Sequence, residues 1–381
     1  MNKIIRAARR CTAALLAWCM GAQPLFAAQI DDPLRVAARM SPKAAGVMLL
    51  GLAQTGTRLV AVGERGVIVY SDNQGGSWQQ ASVPVSVTLT AVQFPAAHRG
   101  WAVGHDGVAL SSDDGGISWT RRFDGNQANA LVLAEARRNV ALAQKAVGTV
   151  GAGAMQAAGQ ALTDLEAGAQ FGPSRPLLGL WFRNRDEGYL AGAYGQLFRT
   201  VDGGAHWESL AGRIDNPDGL HFNSIAGTPD GTLLIAAEGG KIFRSQDNGA
   251  RWQMLDSGYP GQLYGVLPLA GGDPRAALLA YGFGGHILVG DADGRHWREL
   301  PRLTGSNLVA GLQMGDGAIV LAGQDGTLLR SADQGRHFSV LKAGGGLAVA
   351  AMSALRGGAQ MALAGVGGVH LLSIAPVAKE H

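Results

Sequence analysis

Four aspartates occupy the same slot in a recurring stretch, Ser/Thr-x-Asp-x-Gly-x-x-Trp: Asp114, Asp202 and Asp247 precede a Trp by five residues, and Asp333 precedes Phe338. Asn73 fills that slot in a further copy ending at Trp78. Side chains so placed can do three kinds of chemistry. Two carboxyls facing one pocket would serve glycoside hydrolysis as acid and base or nucleophile. Several oxygens around a point would hold a hard cation. A single carboxylate in a tight turn would accept N–H groups of its own loop. The spacing favours the third, because a Gly two residues on supplies positive φ and the aromatic residue can cover the turn. Asn73, Asp114, Asp202, Asp247 and Asp333 are therefore read as structural. The nine histidines show no ligand spacing; His206, His296 and His337 recur just before the aromatic, which argues for blade packing or solvation. No catalytic residue, metal or cofactor is assigned.

The elements that carry these residues repeat. The Ser/Thr positions of the motif, extended to Gly290 and Ser373, follow at intervals of 41, 88, 45, 45, 41 and 42 residues, and the copy at 290–297 keeps only Gly294 and Trp297. Each copy is preceded by a Gly-x-x-Gly type turn, from Gly63 with Gly66 to Gly365 with Gly368, making seven units. Short strand-like runs, four per unit, predict an all-β, seven-bladed β-propeller. None of these glycine turns opens a helix, so they are strand connections and not phosphate cradles. The long interval holds an insertion at 125–174 between blades two and three. Val132, Ala136, Val140, Ala143 and Val147 mark one helical stripe, and Met155, Ala158, Leu162 and Leu165 another, so a helical hairpin is expected, either packing on its own domain or docking a partner. The seventh unit ends before a fourth strand. Leu34, Val36, Ala38 and Met40 alternate with other residues, which predicts an N-terminal outer strand for blade seven.

Lys3, Arg6, Arg9 and Arg10, an apolar run over 12–22 and small residues at Ala27 and Ala28 read as a secretory signal peptide over 1–28, leaving the propeller at 29–376. Both cysteines, Cys11 and Cys19, fall inside it. Removing it turns a whole-chain balance of +3 into 28 basic against 29 acidic residues, which removes any electrostatic case for nucleic acid. No later run is long and apolar enough to span a membrane as a helix. A periplasmic protein is expected.

These motifs resemble the Asp-box, or BNR, repeats. The run Val62, Gly63, Glu64, Arg65, Gly66 and the run from Arg199 through Thr200, Asp202, Gly203, Gly204 and His206 to Trp207 look most similar to the photosystem II stability/assembly factor family. That resemblance implies a non-enzymatic propeller that helps assemble a membrane protein complex. The resemblance also implies, for relatives in non-photosynthetic bacteria, an association with RND-type exporters. The same repeats occur in sialidase-like and xyloglucanase-like glycoside hydrolases, the competing reading. Sialidase chemistry requires an arginine triad and a Tyr with an acidic partner, and these do not assemble from the sequence; Tyr70 and Tyr189 sit in strands and Tyr194 in a turn. Glu64, Asp106, Glu238 and Asp325 are the carboxylates to mutate in testing a hydrolase. In four-stranded blades the turns between second and third strands share a face with the blade connections. Arg65, His105, Tyr194, Phe283 and Gln324 lie on those turns and, with the hairpin, form the expected partner-binding surface.

Overall fold

The computed structural model describes residues 31–145, 152–271, 275, 277–355, 358 and 360–374. The signal peptide expected at 1–28 lies outside them, as does Val147. From Pro33 onward the chain forms one compact unit. It contains seven antiparallel sheets in chain order, six of four strands and one of three.

Each blade is built around a second strand buried on both faces, such as Arg58–Gly63 in blade one and Leu233–Ala237 in blade four. Alternation explains this. Val60 and Val62 enter the core between blades one and two, while Leu59 and Ala61 enter the core between blades one and seven. Seven such cores lie one at each seam of the ring. The seam between blades two and three is aromatic: Trp101 stacks on Phe182 at 4.4 Å and meets Trp207 edge-on at 5.8 Å.

Closure differs from the N-terminal strand expected above. Blade seven has Val349–Ala354, Gln360–Gly365 and Gly368–Ser373, and no fourth strand among the described residues. Residues 34–40 form no strand. They run along the connection between blades one and two, where Ala38 N–H donates to the Val83 carbonyl at 3.0 Å and Ser86 N–H to that of Pro33 at 2.8 Å. Leu34 and Ala38 are buried there against Val83, Val85 and Val87, whereas Met40 is exposed. The valine run of that connection competes successfully for the N-terminal segment's apolar side chains. The ring closes by side-chain packing, with Leu49, Leu52, Leu59 and Val69 of blade one against Leu355, Ala362 and Ala364.

The insertion holds two helices, α1 (Gly125–Lys145) and α2 (Ala152–Ala169). Asp124 caps α1: its Oδ1 accepts Asn126 and Gln127 N–H, and Gln127 Oε1 accepts the Asp124 N–H at 3.1 Å. Ala128 and Ala136 bury α1 on the propeller, Ala128 within the core between blades two and three. In α2 no described side chain is buried; it packs on α1, with Arg137 to Glu166 at 3.0 Å across the pair. No helix of the described residues is long and apolar enough to cross a membrane.

Candidate binding face

The two ends of the propeller differ in how their polar groups are spent. At one end stand the Asp turns. Ser112 Oγ accepts Gly116 N–H, Asp114 accepts the N–H groups of Ile117 and Ser118, and Trp119 Nε1 donates to the Gly116 carbonyl. Asp247 accepts Arg251 N–H at 2.9 Å, and Asn73 Oδ1 accepts Ser77 N–H at 2.8 Å. In Asp202 and Asp333 the carboxylate takes both the backbone N–H and ring Nδ1 of the histidine four residues on. The N–H and side chain of His206 hold Asp202 down at about 2. Burial pushes Asp114 up, but Ser118 and the other donors outweigh it, so that its carboxyl lies below the usual range. The copy at 290–297 is more complete than its sequence suggests. Asp291, one residue early, accepts Arg295 N–H at 2.9 Å and pairs with His296 Nδ1 at 2.6 Å. A carboxylate displaced by one position still reaches the same donors, which a fixed-spacing pattern overlooks. The three histidines are thus exposed partners of their own turns.

A Tyr, a Glu and two Arg do meet in blade three. Glu187 takes Arg199 at 2.8 Å and Arg183 at 3.4 Å, with the Tyr189 hydroxyl 3.1 Å away. Tyr189 is wholly buried, and burial pushes its phenol up, while Glu187, Arg183 and Arg199 are partly exposed. Of the carboxylates named for hydrolysis, Glu238 accepts His221 N–H, Asp325 accepts Thr327 N–H and Glu64 accepts Met48 N–H. These three are tied to their own blade. Asp106 forms the neighbouring turn and is also partnered. No group of three potential metal-ligating side chains occurs among the described residues.

At the other end stand the turns between second and third strands. Their first residues donate to the carbonyl just before the inner strand of the same blade: Glu64 to Met48, His105 to Thr88, Ala193 to Pro176 and Gln324 to Asn307. Turns and blade connections therefore share this face. Arg65, His105, Tyr194, Phe283 and Gln324 are all exposed on it. Two cavities open on this face, one lined by Gln324 and the other by Tyr194.

Gln324 lines the mouth of the axial channel, about 390 Å³. In all seven blades the inner strand breaks register after its first residue. The seven bulged residues, Leu50, Thr90, Leu178, Asn223, Tyr264, Val309 and Ala350, each turn into the channel. Thr90 and Asn223 also donate to the Leu177 and Leu263 carbonyls of the next blade, so the lining stitches the ring. Bulges leave no composition signature in short apolar strands, and the sequence reading missed this ring.

Tyr194 lines the second cavity, about 550 Å³ between the hairpin and blade three. Its φ of 57° is left-handed, where blades four and five place Gly239 and Gly284. The ring meets His221 at 4.6 Å, and the Arg175 guanidinium lies 5.4 Å from its centroid. Arg65, His105 and Phe283 line neither cavity.

Seven radial sheets, seam cores, saturated Asp turns and one face left open define a seven-bladed BNR-type propeller with a helical insertion. Residues 170–304, covering blades three to five, match the family model described as photosynthesis system II assembly factor YCF48. Over those three blades, about a third of its length, the chain is similar to that family. Among solved structures it is similar to YCF48 bound to D1 peptide, with TM-score 0.60 and 17% identity over 89% of this chain and 96% of that one. YCF48 from Cyanidioschyzon merolae gives 0.59 and 13% over 88% and 97%. The WD40 propeller domain of Doa1 gives 0.59 and 10% over 90% and 97%, so shape at this level extends across propellers generally. No curated protein matches the sequence.

Proposed function

We propose that this chain is a non-enzymatic assembly factor that holds a segment of a membrane protein on the face bearing Tyr194 and Gln324. It acts from the periplasmic side after export by the signal at 1–28. The observation that carries this reading is the contrast between the ends: one face spends its carboxylates on its own turns, while the other exposes varied side chains around two cavities. The solved structure of YCF48 with a D1 peptide supports a membrane-protein segment, photosystem-like in kind, as the partner class. Neither the family match nor the structural matches favours an RND exporter. Photo-crosslinking from Tyr194 or Gln324, in cells producing the full chain, is expected to trap an integral membrane protein; the same group at Val201, on the Asp-turn face, is expected to trap none. Adducts from Val201 alone would overturn the assignment of the face, and recovery in the cytoplasmic fraction would overturn the location.

A further inference from the structure

The cavity beneath the hairpin differs from the channel mouth in chemistry. Its helix walls bring two carboxylates, Glu135 from α1 and Asp164 from α2, and neither has an ion-pair partner among the described residues. Among the described residues, the one side-chain donor to Asp164 is Gln160 Nε2, at 2.8 Å. Glu135 reaches toward the propeller, where a Cβ on Gly212 would fall 2.3 Å from its Oε1. The single cation of the lining, Arg175, lies over Tyr194 at one end and against Gly168 of α2. The lining is therefore one charge negative. Blade three contributes Gln196, which is 6% exposed and whose Oε1 has no hydrogen-bond partner among the described residues. A buried acceptor left without a donor is costly, so a donor arriving there gains unusually much. Tyr194 beside it keeps a left-handed backbone that a bulky side chain adopts only at a cost.

Building on the membrane-protein assembly role, we infer that this cleft takes a basic peptide segment. A lysine or arginine of the segment places its charge against Glu135 and Asp164, a main-chain N–H meets Gln196 Oε1, and small apolar side chains lie along Ala136, Ala161 and Leu165. The volume falls within the ~300–1000 Å³ of ordinary ligand sites.

The test uses the full chain after signal removal and two end-blocked pentapeptides, alanine-leucine-lysine-alanine-leucine and its glutamate counterpart, with binding read by calorimetry. The lysine peptide is expected to bind at least about tenfold tighter. The double substitution Glu135→Gln with Asp164→Asn should erase that preference, and Glu135→Lys with Asp164→Lys should invert it. Gln196→Leu should weaken the lysine peptide without helping the glutamate one. Circular dichroism confirms folding of each variant. Equal binding of both peptides, preference for glutamate, or no binding of either overturns the inference. Lysine-peptide binding that survives excision of 126–172 overturns the cleft alone and leaves peptide recognition on this face intact. Loss of crosslinks from both Tyr194 and Gln324 would instead remove the parent reading.

Discussion

The Asp-turn face and the hairpin face are built from the same blades, yet they handle polar atoms in opposite ways. On the first, an Asp or Asn side chain, joined by a Ser or Thr hydroxyl in every copy but the one at 290–297, absorbs N–H groups of the turn, leaving little with which to bind anything else. On the second, the turns are closed by backbone bonds to the blade connections; Glu64, Glu238 and Asp325 accept N–H groups of their own blade, while Arg65, His105, Tyr194, Phe283 and Gln324 stay exposed. Satisfying a turn with its own side chains makes scaffold, and satisfying it with backbone leaves side chains for recognition. The comparison breaks if substitutions on the first face alter binding, or those on the second alter folding.

The largest expected effect belongs to neither face. Trp101 is wholly buried and joins blades two and three through Phe182 and Trp207. Trp101→Ala should cost about 3–5 kcal/mol in urea unfolding and weaken both faces together. A loss under about 1 kcal/mol would mean that the seam relaxes around the cavity.

Asp114→Ala comes next. It strips acceptors from Ile117 and Ser118 N–H, and should cost about 1–2 kcal/mol while leaving lysine-peptide affinity unchanged. A fall in affinity at unchanged stability would place recognition on the Asp-turn face.

Much of this scaffold was legible. The motif spacing located six Asp-type turns and the glycine turns counted seven blades, because each depends on a backbone conformation that few residues allow. The N-terminal segment was misplaced because period-two alternation says that a face is covered but not by what. Leu34 and Ala38 found Val83, Val85 and Val87 instead of blade seven. Asp291 was overlooked through its one-residue displacement. Tyr194 and Gln324 could be placed on a face by connectivity alone, whereas the cleft's Glu135, Asp164 and Gln196 come from three elements separated in sequence and meet only in the folded chain.

Acid offers a smaller test. Asp202 is held at about 2, below the ordinary ~3.9 of an unfolded chain. Its contribution is thus fully present above pH ~4 and lost as pH falls toward 2, since the unfolded chain takes up its proton first. Asp114, Asp247, Asp291 and Asp333 are lowered as well. Stability should fall from pH 4 to 2, and less steeply in Asp202→Asn. An identical slope in that variant would show that other carboxylates carry the acid sensitivity.

The smallest effect on folding, and the sharpest division between the faces, is expected at Tyr194. Its turn needs a left-handed residue, and glycine meets that need in blades four and five without a Cβ penalty. Tyr194→Gly gives up the contacts to the half-buried Arg175 and His221 but relieves the backbone, so the melting temperature should stay within a few degrees of the parent or rise. The same change removes the aromatic wall of the cleft and should lower lysine-peptide affinity and membrane-protein crosslinking from Gln324. A variant that melts much earlier would make Tyr194 part of the scaffold. One that folds and binds like the parent would show that its left-handed backbone serves neither purpose, and would shift recognition toward the channel mouth ringed by Leu50, Leu178 and Tyr264.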